Sequence, residues 1–507
     1  MNEFKKIKTA LVSVFHKDGL DEILNKLASE GVRFISTGGT AAFIESLGLD
    51  CTTVENITGY PSILGGRVKT LHPKVFGGIL TRRDNDGDML QSSQYEIPEI
   101  DLVIVDLYPF VDTIKQGASE AEIIEKIDIG GISLIRAAAK NFNHVVIIPS
   151  KSSYGPFLDI LNSQGAKTNI EQRRNFATEA FSVSSYYDSA IYNWFAGSDK
   201  DNLRLAVNDC MSLRYGENPH QEAKFYGDFD KMFDKLHGKE ISYNNLLDID
   251  AAVALIKDFE YTTFAVLKHN NACGVASRPT VLESWKAALA CDPLSAFGGV
   301  LITNGEIDED TAKEIDSIFF EVIIAPSFTG KALEILKKKK NRIILVAKDI
   351  TLPVTRYKSA LNGILAQHID DVVESEEVLK NVTSKKVSEN QIEDLIFANK
   401  IVKHSKSNAI VLAKDLTLLA SGIGQTSRVD ALKQAIEKAK GFNFDLNGSV
   451  MASDAFFPFA DCVEIADKAG VKAVIQPGGS IRDNDSINYC NEHDIAMVMT
   501  GIRHFRH

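Results

Sequence analysis

The sequence predicts an α/β protein of two domains, the first built on a doubly wound parallel sheet. Three observations carry the prediction. The chain has 507 residues, too many for a single hydrophobic core. Over the first two hundred, short apolar runs alternate with stretches of helical apolar spacing, the pattern of successive βαβ units. The polar stretch Ser198-Asp199-Lys200-Asp201-Asn202 reads as a linker, which sets the domains at 1–197 and 198–507.

Composition narrows the function. Hydrophobic content of 44% and charged content of 24% suit an ordinary globular protein. A net charge of −12 disfavours a nucleic-acid surface. Six cysteines are scattered without a C-x-x-C pair, which argues against a disulfide framework or a thiolate zinc site and suits a reducing cytosol. The opening MNEFKKIKTALVSVF has no signal-peptide core, and no apolar run reaches membrane-spanning length. A cytoplasmic protein with no membrane partner is expected.

In chain order, Thr9 to Val14 is a strand, Leu20, Ile23, Leu24 and Leu27 mark a helix, and Val32 to Ser36 is a second strand. Thr37-Gly38-Gly39-Thr40 then leads into a helix over Ala41 to Leu47. Strand, small-residue loop and helix start make a phosphate cradle, because backbone N–H groups can approach an anion at the positive end of the helix. A plain βα turn is the alternative, since the Walker spacing is missing. In GGRVKTLHPKVFGGIL, Gly65 to Leu80, Arg67 and Lys69 stand between glycine pairs with Thr70 and His72 behind them. Two cations on a loop that wraps closely point to an anionic ligand. Leu102 to Val105 is a strand ending in Asp106-Leu107-Tyr108-Pro109-Phe110. Asp128-Ile129-Gly130-Gly131 precedes a helix carrying Leu134 to Asn141, and Val145 to Ile148 closes another strand. Tyr108, Asp128 and Lys140 each lie just past a strand or at a helix end, where ligand residues collect.

STGGT, GGRVKTLHP, DLYPF and DIGG-x-x-LIRAAAKN, in that order, resemble the inosine monophosphate (IMP) cyclohydrolase domain of a bifunctional purine-biosynthesis family. The resemblance spans nearly all of 1–197. It implies a methylglyoxal-synthase-like fold that closes the purine ring of formyl-AICAR, the formylated aminoimidazole carboxamide ribonucleotide. By the same resemblance Lys69 and Lys140 face the developing oxyanion, and Tyr108 and Asp128 handle protons. Ser13, Lys17, Ser36, Thr37, Gly38, Gly39, Thr40, Arg67 and Thr70 would hold phosphate and ribose.

The second domain is organised around AVLKHNNACGVA, Ala265 to Ala276. Phe264 to Leu267 reads as a buried strand, Gly274 as the turn after it, and Lys268-His269 stand where the strand ends. Such a pair can act as an acid/base couple, with a surface pair as the alternative. LRYGENPHQ, Leu213 to Gln221, reads as a ligand loop. Glu321 precedes a strand ending at Pro326, and Lys337 to Lys340 reads as a solvated helix end. Ser407-Asn408 opens a strand, Gly422 to Arg428 looks like an anion loop, and Phe456 to Phe459 offers aromatic walls near Asp461. For that aromatic run a core segment is the alternative, against which its proline and flanking acids count. Two weakly similar αβ halves fit an internal duplication.

RYGENPHQ, KH-x-N-x-CG, AFGG, SN at 407–408, GQTSR, SDAFFPF and the terminal RHFRH resemble the AICAR formyltransferase domain of the same family, to the last residue. That implies a cytidine-deaminase-like fold in two subdomains, and 10-formyltetrahydrofolate as cosubstrate. His269 would manage the amine proton and Lys268 the oxyanion or leaving nitrogen, with Asn408 on the formyl oxygen or carboxamide. Arg214, Tyr215, Glu321, Arg428, Phe456 and Arg503 would hold the nucleotide, and Phe297, Gly298, Pro458, Phe459 and Asp461 the pterin. The resemblance also implies a homodimer with shared transformylase sites, and an alkali cation for which no ligand set can be named. The combined deaminase zinc signature, H-x-E with P-C-x-x-C, is missing, so zinc is not expected. Two departures stand out: Ala272 where many members have Pro, and Ala460 where several have Arg. A non-catalytic nucleotide sensor is the competing function, but it would need neither Lys268-His269 nor an aromatic folate cleft. An RNA-binding module is disfavoured by the acidic balance.

Overall fold

The computed structural model describes residues 4–197 and 201–507, and the chain divides into two compact units, 1–208 and 209–507. Residues 198–200 of the expected linker lie outside the described residues.

The first unit holds a five-stranded sheet in the order Cys51–Thr53, Arg33–Ser36, Thr9–Ser13, Leu102–Val105, Val146–Ile148, all parallel. Leu102–Val105 buries all four of its apolar residues, as a central parallel strand does when helices cover both faces. The chain moves outward from Thr9–Ser13 first to one edge and then to the other. The topological switch point therefore lies between Thr9–Ser13 and Leu102–Val105, and the crevice at their carboxyl ends is the natural ligand position. Helix Leu20–Ser29 buries the Leu20, Ile23, Leu24 and Leu27 stripe. Helix Gly38–Ser46 starts three residues before the expected Ala41, taking both glycines into its first turn. Its first turn thus lines the crevice through Gly39 and Thr40.

The second unit is built on one mixed sheet of twelve strands, beside two small two-stranded sheets, and the topology of the large sheet repeats. In the first half, helix Tyr243–Ile256 precedes the hairpin Thr263–Lys268/Asn271–Ser277, followed by helix Val281–Cys291 and parallel strands Val300–Thr303, Val322–Ala325 and Ile343–Ala347. In the second half, helix Glu389–Lys403 precedes the hairpin Ile410–Lys414/Thr417–Gly422. Helix Arg428–Gly441 and parallel strands Val450–Ser453, Ala473–Gln476 and Ala496–Met499 follow. The two hairpins meet in the middle of the sheet, Ala276 opposite Thr417, and the remaining strands run outward in mirrored order.

One sequence expectation is corrected here. Gly274 lies inside strand Asn271–Ser277, and the turn is His269-Asn270 instead. Helix Val281–Cys291 passes so close that a Cβ on Gly274 would stand 2.0 Å from the Ala288 carbonyl oxygen, so the glycine serves packing. Among the described residues no helix is long and apolar enough to cross a membrane.

Candidate active sites

At the switch point of the first unit lies a cavity of about 740 Å³. Ser13, Lys17, Thr37, Gly39, Thr40, Arg67, Lys69, Thr70, Tyr108 and Asp128 line it, so segments distant in sequence converge as the motifs predict. The loop that brings Lys69 in depends on Gly66. That residue has φ +90°, and a Cβ there would stand 2.7 Å from the Lys69 Cε. Gly38 is not a lining residue, but its position leaves a Cβ only 3.5 Å from the Lys69 ammonium. Thr40 Oγ1 donates to the Val14 carbonyl at 3.0 Å, which fixes helix Gly38–Ser46 against the strand end. Ser36 is buried and donates to the Val12 carbonyl at 2.7 Å, so its role is to join two strands.

Asp128 and Tyr108 form the acid/base edge of this cavity. Burial pushes the Asp128 carboxyl above its ordinary range, against N–H donation that includes Gly131 at 2.6 Å. Burial also raises the Tyr108 phenol, with the Asp128 and Asp106 charges adding to it. Both groups therefore hold their protons to higher pH than the free side chains do. The loop beneath is pinned by Tyr187, from helix Ile170–Ala196. Its hydroxyl accepts from the Asp128 N–H at 2.8 Å and donates to the Lys126 carbonyl at 2.5 Å.

Lys140 does not join the cavity. It ends helix Gly130–Lys140, exposed, ten residues beyond the Gly130 that lines the wall, about 15 Å at 1.5 Å per residue. The motifs also missed contributors. Asp106 lines the cavity and accepts from the His16 N–H at 2.9 Å, while Lys126 lies 5.9 Å from the Tyr108 ring centroid. A carboxylate directly after an apolar strand was the available signal for Asp106.

In the second unit, Lys268 ends its strand and the turn is made by His269 and Asn270, both left-handed at φ 51° and 64°. Two successive positive φ values are the geometry of a type I′ hairpin turn, which Asn tolerates well. Asp248, held above the ordinary carboxylate range by burial, accepts from the Asn270 N–H at 2.7 Å and fixes the turn. His269 is left exposed. The Lys268 ammonium donates to the Phe297 carbonyl at 2.7 Å, bringing the catalytic candidate onto the folate candidate. Next along, Gly298 (φ +74°) donates to the Phe319 carbonyl at 2.8 Å.

The turn is also tied to the Asn408 segment, where the Lys406 N–H donates to Asn271 Oδ1 at 3.1 Å. Asn408 itself is engaged at both ends of its amide. Nδ2 donates to the Gln425 and Thr426 carbonyls, and Oδ1 accepts from Arg428 at 3.0 Å. In this structure Asn408 organises the GQTSR loop. Arg428 is buried and paired with Asp454 at 2.7 Å, and it also donates to the Phe456 carbonyl. Asp454, unassigned in the sequence reading, accepts from Ala409 N–H through its side chain and from His504 N–H through its backbone. Three stretches thus converge on Asp454, two at its buried carboxylate and one at its backbone carbonyl, and nothing in the linear motif SDAFFPF announces it.

Of the aromatic run, Phe457 is fully buried in the core, whereas Phe456, Pro458 and Phe459 are exposed. The core alternative therefore holds for Phe457 alone. Arg482 sits 4.8 Å over the Phe459 ring, and Asp461 begins helix Asp461–Ala469. Glu321 pairs with Lys239. Arg214 is exposed, its guanidinium stacked 4.6 Å over the Tyr215 ring. Arg503 is exposed on the C-terminal tail.

A family model described as "AICARFT/IMPCHase bienzyme" matches residues 138–438, and an "MGS-like domain" matches 19–133. A Bacteroides thetaiotaomicron protein named "Bifunctional purine biosynthesis protein PurH" is 67% identical over 507 residues, all of both chains. A Persephonella marina protein of the same name is 46% identical over 99% of this chain and all of that one. A crystal structure titled "ForH" is 32% identical, covers 37% of this chain and 99% of that one, and has a TM-score of 0.33. The chain belongs to the AICARFT/IMPCHase bienzyme family.

Proposed function

We propose that the two units divide the last two steps of IMP synthesis, ring closure in 1–197 and formyl transfer in 198–507. Full-length identity of 67% to a bifunctional purine biosynthesis protein carries the assignment of both activities. The chain is an AICAR formyltransferase and IMP cyclohydrolase, acting on AICAR, formyl-AICAR and a folate-type formyl donor. We take that donor to be 10-formyltetrahydrofolate, with no zinc in the reaction and an alkali cation as a structural ion only.

In formyl transfer the AICAR amine attacks the formyl carbon. The amine must lose a proton as it bonds, and the folate nitrogen must gain one as it leaves. His269, exposed at the turn, takes the amine proton. Lys268, beside the folate loop at Phe297, faces the tetrahedral oxyanion and the leaving nitrogen. Arg214, Tyr215, Glu321, Arg428, Phe456 and Arg503 hold the nucleotide, and Phe297, Gly298, Pro458, Phe459 and Asp461 the pterin. Asn408 acts by fixing Arg428.

In ring closure the carboxamide nitrogen attacks the new formyl carbon and water leaves. No covalent enzyme intermediate is required, so the cavity works by folding the substrate back on itself and stabilising charge. Lys69 meets the oxyanion, and Asp128 and Tyr108 move protons between nitrogen and leaving oxygen. The cradle at Thr37 to Thr40, with Arg67 and Thr70, takes phosphate and ribose.

We read the enzyme as a cytoplasmic homodimer. The hairpin Thr355–Ala360/Gly363–His368 supports a second copy, because it leaves Leu361, Ile364 and Leu365 exposed. A steady-state assay with AICAR and 10-formyltetrahydrofolate, followed to IMP, tests the reaction assignment. Sedimentation of the pure protein tests the dimer. Absence of IMP, or a monomer at micromolar concentration, overturns the respective part.

A further inference from the structure

The C-terminal tail contains a buried imidazole that the reaction scheme does not use. His504 is 2% exposed, and both ring nitrogens face carboxylates from one distant segment. Nδ1 lies 2.6 Å from Asp370 and Nε2 lies 2.8 Å from Glu374, which is itself buried. Burial alone would lower the imidazole pKa, but the two carboxylates outweigh it and raise it to about 9. Beyond them stands Lys403, whose ammonium acts on Asp370 and is paired with Asp258 at 3.0 Å. The tail's other ties run to Asp454, the partner of Arg428, and to Ser407, the neighbour of Asn408. His504 N–H donates to the Asp454 carbonyl, Arg506 N–H to Ser407 Oγ at 3.0 Å, and Ser407 N–H to the Arg506 carbonyl at 2.9 Å.

We propose that His504 is a positioning residue for formyl transfer: clamped between Asp370 and Glu374, it holds the tail so that the adjoining Arg503 meets the AICAR nucleotide. A fully exposed five-residue end cannot hold a cation in one place, whereas a buried charged ring with two fixed partners can. Arg503 is exposed while His504 is buried, so alternate residues of the tail serve anchor and ligand. The inference rests on the reading of Arg503 as a nucleotide ligand.

The test measures AICAR KM, folate KM and kcat in the full-length enzyme carrying His504→Gln, Asp370→Asn with Glu374→Gln, or Arg503→Ala. His504→Gln and the double carboxylate variant should each raise AICAR KM about tenfold or more, with folate KM and ring closure unchanged. The pH profile adds a readout that general loosening does not produce. A clamp that depends on imidazolium is intact below the ordinary imidazole range and is lost as pH rises through about 9. Wild-type AICAR KM should climb there, and that climb should vanish in His504→Gln. If AICAR KM moves less than twofold in both clamp variants while Arg503→Ala raises it, the clamp is overturned. If Arg503→Ala also leaves AICAR KM unchanged, the ligand reading fails instead. Should His504→Gln not fold, the carboxylate pair variant alone decides.

Discussion

The two halves of the second unit build the same hairpin turn and use it differently. In the first half Lys268-His269-Asn270-Asn271 makes the turn; in the second it is Lys414-Asp415-Leu416-Thr417. Both have two left-handed residues at the tip and a register shift just before it. In each, an aspartate at the sixth position of the preceding helix accepts from the tip: Asp248 from Asn270, and Asp394 from Asp415 and Leu416. In each, the turn lysine donates at 2.7 Å to a carbonyl three residues before the next strand, Phe297 for Lys268 and Asn447 for Lys414. A left-handed glycine follows both carbonyls, Gly298 and Gly448. The difference lies around the tip. Arg278 fills the second turn, donating to the Asp415 carbonyl and Thr417 Oγ1, while the first leaves His269 exposed. The lysine contact therefore belongs to the fold, and what sets the first tip apart is its exposed imidazole.

The widest separation should come from Lys268→Ala. Formyl transfer should fall on the order of a thousandfold, the range for losing a charged group from the reacting centre. Ring closure of supplied formyl-AICAR should persist, because its cavity lies in the first unit. A folded variant that lost both activities would collapse the division between units. The complementary change, Lys69→Ala, should lower IMP formation from formyl-AICAR on the order of a hundredfold and leave formyl transfer intact. Equal rates with and without Lys69 would return the Gly65 to Leu80 loop to an ordinary basic loop.

These expectations also measure what the sequence discloses. The phosphate cradle and the Arg67-Lys69 loop were legible because glycines and cations at short spacing act locally, and the structure sets both at one cavity. Lys140 was not, since only the rise of its helix decides how far it ends from that cavity. Asn408 was legible as a polar residue at a strand entrance, but its engaged amide is a product of loops folding back from 425–428. Asp454 and the Asp370–His504–Glu374 clamp depend on contacts across 26 to 134 residues, which no motif encodes. The duplication was visible only faintly because it is conserved in topology, register and turn geometry, whereas the residues at the tips have diverged.

A finer pair of variants removes the aspartates. Asp248→Ala frees the tip that carries His269, so formyl transfer should drop roughly tenfold, with one hydrogen bond's worth of stability, about 1–2 kcal/mol. Asp394→Ala leaves two N–H groups without their carboxylate, and should cost more, about 2–4 kcal/mol, with transfer unchanged. Denaturant midpoints and initial rates together check the crossing. If the less stable variant were also the slower one, activity would simply follow stability.

The smallest expected effect belongs to Lys414→Ala, and it isolates the lysine contact from the chemistry. Lys414 makes the same ammonium-to-carbonyl bond as Lys268, at the same length and the same place in the repeat. Its loss should cost about 1 kcal/mol, the net value of one partly exposed hydrogen bond, and shift the melting temperature by a few degrees at most. Kinetic constants for both reactions should stay at the wild-type level, because the second tip carries no imidazole and Arg278 engages its backbone. Lys268→Ala should lose the same small amount of stability while losing nearly all transfer. Identical stability losses with opposite kinetic outcomes would separate the scaffold role of the lysine from its catalytic one. A Lys414→Ala enzyme slow in formyl transfer would mean that the second turn takes part in the reaction after all.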